Sequence, residues 1–164
     1  MMLSTTQQEF CNKTTKELLN CFRRGGKCLV IGNGGSLAMA SHLAGELVCK
    51  FDRVRRPLPA ITLNDPNVIT AIGNDFGFEF VFSRQVEALA TLGDILVTLS
   101  TSGKSPNILK AIEAAKGRDL PVVSFPTNGE LGLTTPQTQE VHLAQIHEIS
   151  KLVESEAAEV KYLG

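Results

Sequence analysis

The apolar positions of this chain change period several times along its length. Over residues 4–24, Phe10, Leu18, Leu19 and Phe22 fall on one helical face and predict an amphipathic helix, which Gly25-Gly26 then ends. Short, almost continuous apolar runs follow at 27–31, 59–63, 95–99 and 121–125 and read as buried strands. Between them the pattern relaxes to helical spacing: 36–51, a short helix that ends at Gly73, then 79–90 and 106–117. Asn64-Asp65-Pro66 reads as a turn that caps the short helix, Gly73-Asn74-Asp75-Phe76-Gly77 as a second turn, and 126–135 as a Gly-, Thr- and Pro-rich loop. A final helix is expected over 136–162. Strands alternating with helices predict a parallel sheet covered on both faces. No linker, repeat or low-complexity tract divides residues 1–164, so one domain is expected, with an N-terminal helix (4–24), an α/β core (27–125) and a C-terminal helix (136–162).

Two of these strands run into glycine- and hydroxyl-rich turns that open helices: Gly32-Asn33-Gly34-Gly35-Ser36 and Ser100-Thr101-Ser102-Gly103-Lys104-Ser105-Pro106. Such turns present backbone N–H groups and hydroxyls beside the positive end of a helix dipole, where an anion can sit. Taken singly, the first turn is equally well explained by glycine's backbone freedom and the second by Ser105 capping a helix ahead of Pro106. Two in one small domain point to a phosphorylated, polyhydroxylated ligand at the carboxyl ends of parallel strands. The first turn is not Gly-x-Gly-x-x-Gly, and no acidic residue stands out at the end of the second strand. Gly103-Lys104-Ser105 lacks the earlier glycine of a P-loop, so dinucleotide and nucleotide readings are demoted.

Composition narrows the field further. The 164 residues are 43% hydrophobic, enough for a real core, and the formal net charge of −1 offers no broad attraction to nucleic acid or anionic membrane. With no Trp and one Tyr, a base-stacking platform has little to build on. No apolar run approaches spanning length and the first residues lack a signal-peptide pattern, so a cytoplasmic protein is expected. Cys11, Cys21, Cys28 and Cys49 form no Cys-x-x-Cys pair and are expected to be reduced.

His42 and Glu46 are i and i+4 on the helix after the first turn and share a face. That spacing suits two ligands of one metal, a carboxylate beside an imidazole for proton transfer, or an ordinary surface ion pair. The last helix carries Gln139, Glu140, His142 and His147. At 100° per residue Glu140 lies about 20° from His147 and Gln139 about 80°, so helical geometry alone pairs Glu140 with His147.

Together, Gly32-Asn33-Gly34-Gly35-Ser36, His42-x-x-x-Glu46, Gly73-Asn74-Asp75-Phe76-Gly77-Phe78, Phe82-Ser83-Arg84-Gln85-Val86-Glu87, Ser100-Thr101-Ser102-Gly103-x-Ser105 and Gln139-Glu140-x-His142 with His147 resemble the sugar isomerase (SIS) domain. Within it they are similar to the bacterial phosphoheptose isomerases, from about residue 25 to 152. The resemblance implies a flavodoxin-like three-layer α/β sandwich with a parallel sheet. It implies a homotetramer and a ketose–aldose isomerase acting on sedoheptulose 7-phosphate, in heptose synthesis for lipopolysaccharide or capsule. It also implies one zinc ion per subunit held by His42, Glu46, Gln139 and His147, thus preferring Gln139 to Glu140. Substrate contacts carry over to Asn33, Gly34, Gly35, Ser36, Asn74, Asp75, Ser100, Thr101, Ser102, Ser105 and Gln139, with Glu46 and His147 as the catalytic pair. Met39, Lys50 and Gln137 stand where the family commonly has Asp, Arg and Arg, and the short 126–138 segment implies that a last strand is lost or shortened. A non-catalytic SIS regulator of the replication-initiation type, or an isomerase of another sugar phosphate, are the alternative readings. The presence of both Glu46 and His147 favours the enzyme.

Overall fold

Four parallel strands organise residues 3–157, the part of the chain that the computed structural model describes. In chain order they are β1 (Cys28–Gly32), β2 (Ala60–Thr62), β3 (Ile95–Leu99) and β4 (Val122–Ser124), and in the sheet they lie β2-β1-β3-β4. The helices are α1 (Thr5–Arg23), α2 (Gly35–Val48), α3 (Pro66–Asp75), α4 (Ser83–Leu89), α5 (Pro106–Lys116), α6 (Asn128–Leu131) and α7 (Thr135–Glu156). The three-layer parallel architecture is the one the alternating pattern predicts.

Strand periodicity splits the core in two. Cys28 and Val30 of β1, with Ile95, Val97 and Leu99 of β3, face α1, α2 and α7. Leu29, Ile31 and Leu96 face α4 and α5 on the other side. Since successive side chains of a strand alternate faces, a strand buried on both must be apolar throughout, as β1 nearly is.

The chain leaves β1 through α2 toward β2 on one side, and leaves β3 through α5 toward β4 on the other. Between β1 and β3 the connections therefore part, opening a crevice at the carboxyl ends of these two strands. Both glycine- and hydroxyl-rich turns sit there.

Several boundaries differ from the sequence expectation. α3 is capped at its start by Asp65, which accepts from the N–H groups of Asn67 and Val68, and it runs through Gly73 to Asp75, tolerating one interior glycine. The helix expected over 79–90 is instead a 3-10 turn (Phe78–Phe80) followed by α4. α2 stops at Val48, short of 51, because the N–H groups of Phe51, Asp52 and Arg53 are drawn away to the Glu154 carboxylate. The loop after β4 contains α6, which Thr127 and Glu130 begin with a reciprocal capping box and Gly132 (φ 66°) ends in the left-handed region. Among the described residues no further strand follows β4, as the short 126–138 segment implies. The expected continuation of the last helix over 158–162 lies outside the described residues.

Candidate active site

The first turn is fixed by contacts that admit little else. A Cβ on Gly32 would lie 2.6 Å from the Ser36 carbonyl oxygen, and Gly34 has φ 54°. Asn33 and Asn107 exchange amide hydrogen bonds in both directions, at 2.9 and 2.8 Å, pinning the first turn to the start of α5. Ser36 is buried in the opening turn of α2, its N–H on the Asn33 carbonyl at 3.0 Å.

In the second turn the Ser100 hydroxyl accepts from Gly103 N–H (3.1 Å) and the Ser102 hydroxyl from Lys104 N–H (3.2 Å). A hydroxyl that accepts a backbone N–H still has its own O–H to donate, so both retain a hydrogen for an anionic oxygen. Thr101 holds α6 through its carbonyl, which accepts from Asn128 N–H at 2.7 Å. Ser105 heads α5. A cavity of about 560 Å³ lies between the two turns, lined in part by Asn33, Ser105, Asn107 and Lys110, with Phe78 and Glu79 as its far wall.

The ionisable candidates meet across α2 and α7. His42 Nε2 lies 3.0 Å from His147 Nε2 and 3.4 Å from Glu46 Oε1. The carboxylate and the second imidazole thus reach the same atom, and Glu46 and His147 face one small volume. Only one hydrogen fits between two Nε2 atoms at that distance, so one imidazole donates and the other accepts. The Phe51 ring lies 5.5 Å from that of His147 and closes one side. His42 remains 41% exposed, which keeps the site open to a solute. Gln139 packs against Gly35 at the start of α2.

Not every candidate converges. Asn74 donates to Asp75 at 2.7 Å, and both lie exposed at the end of α3, with no hydrogen bond to the other candidates among the described residues. Glu140, which helical geometry pairs with His147, is exposed, whereas Gln139 turns inward. His142 is fully buried, its Nε2 2.7 Å from the Pro126 carbonyl oxygen. Burial holds its imidazole below the usual range against the pull of that bond, so it serves as a neutral donor tying the chain after β4 to α7. Asn107 and Phe51 were not legible as site residues. The first follows a helix-starting proline, and the second sits in a loop whose path is set from α7.

A family model for the SIS domain matches residues 2–126. The phosphoheptose isomerase of Trichlorobacter lovleyi is 46% identical over 160 residues, covering 85% of this chain and 78% of that protein. That of Helicobacter hepaticus is 42% identical, covering 90% and 82%. The solved phosphoheptose isomerase from Neisseria gonorrhoeae superposes with a TM-score of 0.80 at 36% identity, over 90% of this chain and 86% of that one. The chain belongs to the phosphoheptose isomerase family of SIS-domain proteins.

The zinc site implied for such proteins can be set against these residues. Two imidazoles, a carboxylate and an amide oxygen are donors of the kind zinc accepts. As the side chains stand, no group of three or more His, Cys, Asp or Glu among the described residues is arranged to hold a metal ion. The donor set fits zinc in kind, while His42 and His147 here share a hydrogen bond between their Nε2 atoms.

Among the described residues no helix is long and apolar enough to cross a membrane.

Proposed function

We propose that this chain interconverts sedoheptulose 7-phosphate and D-glycero-D-manno-heptose 7-phosphate. The observation that carries the reading is the convergence of Glu46 and His147 on His42 Nε2, beside a crevice whose hydroxyls can receive a phosphate. The phosphate docks on Ser100, Thr101, Ser102 and Ser105, and Asn33 with Gln139 orients the sugar oxygens. Glu46 takes a proton from C1 of the ketose while His147 delivers one to the C2 oxygen, giving a cis-enediol. Glu46 then returns a proton to C2 and His147 removes the proton from the C1 oxygen, which leaves the aldose. No proton is gained or lost overall, and each group ends in its starting state.

Zinc is the alternative use of the same side chains: His42, Glu46, Gln139 and His147 would hold it, and it would then supply carbonyl polarisation in place of proton transfer by Glu46 and His147. The reading extends to a homotetramer in which a neighbouring copy helps to enclose the site. It extends also to a cytoplasmic role in supplying heptose for lipopolysaccharide or capsule.

The test is to incubate the purified protein with sedoheptulose 7-phosphate in D2O, with and without zinc, and follow the aldose and deuterium at C2 by NMR. Conversion that Glu46→Gln and His147→Ala lose by about 100-fold or more, with phosphosugar affinity retained, is the expected result. Binding without turnover or C1 exchange would replace the enzyme by a phosphosugar receptor.

A further inference from the structure

The loop between α2 and β2 is held by one buried clasp. Glu154, near the end of α7, is 7% exposed and accepts three successive backbone N–H groups, those of Phe51 (3.0 Å), Asp52 (2.8 Å) and Arg53 (2.7 Å). Arg55 Nε lies 3.5 Å from its Oε1. The Arg55 guanidinium also donates to the carbonyls of Glu46 (2.6 Å) and Leu47 (2.8 Å), which α2 leaves unpaired at its end. One ion pair thereby joins the end of the helix bearing His42 and Glu46 to the helix bearing Gln139 and His147. Its immediate effect is to set Phe51, whose ring lies against His147. Glu154 and His147 are seven residues apart on α7 and so share a face, two turns from each other.

We infer that Glu154 and Arg55 are positioning residues, which through Phe51 fix the ring plane of His147 and its approach to His42. Neither lines the cavity between the two glycine- and hydroxyl-rich turns. A carboxylate with three N–H donors and a guanidinium is more than is needed to end a helix, because a glycine alone could do that. The arrangement instead specifies where the eleven-residue loop of residues 49–59 lies relative to a ring two helical turns away. This inference rests on the proposed isomerase reading for its kinetic consequence, but its geometric content is independent.

The test uses the full chain carrying Glu154→Gln, and separately Phe51→Leu, which leaves the clasp intact and removes only the ring. The imidazole resonances of 15N-labelled His42 and His147 are recorded with thermal stability and with kcat and KM for sedoheptulose 7-phosphate. Expected are displaced His147 resonances in both variants and a kcat lowered about 10-fold with KM within about 2-fold. Phe51→Leu should show this with unchanged stability, which a merely structural clasp would not produce. His147 resonances unmoved in folded Phe51→Leu would overturn the inference, as would a kcat that falls only in proportion to the unfolded fraction. If the unmodified protein does not turn over the sugar, the isomerase reading fails, and the His147 resonances alone then decide for or against the clasp.

Discussion

Gly35 and Gln139 lie so close that a Cβ on the glycine would stand 2.7 Å from Gln139 Nε2. Gly35 opens α2, and helical dihedrals at that position suit alanine as well as glycine, so the contact rather than the backbone dictates the residue. Gly35→Ala therefore pushes only the tip of a flexible side chain. Its stability should stay within about 1 kcal/mol of the parent, since the flexible tip can yield. The isomerisation rate should fall about 10-fold because the amide is turned away from the crevice. Urea unfolding beside a turnover assay checks both halves. Loss of stability in proportion to activity would assign the contact to packing instead.

The strands, both glycine- and hydroxyl-rich turns and the His42–Glu46 pair were legible because each depends on local pattern: short apolar runs, glycine where a Cβ has no room, and i,i+4 spacing. Pairing across the molecule was not. Helical geometry chose Glu140 as the neighbour of His147, but angular position on one helix says nothing about which side the sheet will occupy. Gln139 faces inward because α7 lies across the start of α2. The early end of α2 was hidden for the same reason, as the carboxylate that draws its continuation away stands on α7. α6 lay within a loop-like composition, although Thr127, Glu130 and Gly132 carried the signals of its start and stop.

Gly103 shows two separable constraints. Its φ of 65° is left-handed, and a Cβ there would meet the Thr127 methyl at 2.7 Å. Gly103→Ala should cost about 1–2 kcal/mol from the backbone alone, plus a smaller amount from the contact. Adding Thr127→Ser removes the methyl while keeping the hydroxyl that caps α6, and so should recover only the second part. Denaturant midpoints of the single and double variants measure the split. Full recovery would mean that the backbone conformation costs alanine nothing.

The four cysteines differ sharply in access. Cys11, Cys21 and Cys28 are fully buried, whereas Cys49 is exposed just past α2. Burial pushes the Cys11 and Cys21 thiols up to about 12, aided by Glu148 and Asp94 respectively, and raises Cys28 as well. Since the thiolate is the nucleophile, these three hold almost none of the reactive form near neutral pH. An aromatic disulfide reagent should consume one thiol quickly in the native protein and the other three only on unfolding. Cys49→Ser should abolish the fast phase.

Asp94 joins the starts of two neighbouring strands. Its carboxylate accepts from Lys27 N–H at 2.8 Å and Thr91 N–H at 2.7 Å, and the Lys27 ammonium lies 2.6 Å away. Burial by itself would raise this carboxyl, but the Lys27 and Thr91 donors outweigh it and hold the pKa below the usual carboxylate value. Glu154 is lowered likewise, three backbone N–H groups and Arg55 overcoming its burial. A carboxylate whose folded pKa lies below its unfolded one stabilises the fold above the unfolded value. That contribution shrinks as pH falls through the folded value. Stability should accordingly decline below about pH 4, where unfolded carboxyls begin to take up protons. Asp94→Asn should cost about 2–3 kcal/mol at neutral pH, because the amide keeps the shape but cannot serve every donor. It should also flatten the acid limb, since one of the groups that generates the slope is gone. Urea midpoints taken from pH 7 down to pH 3 measure both effects. A variant as stable as the parent at pH 7, with the same acid slope, would remove Asp94 from the groups that hold β1 to β3.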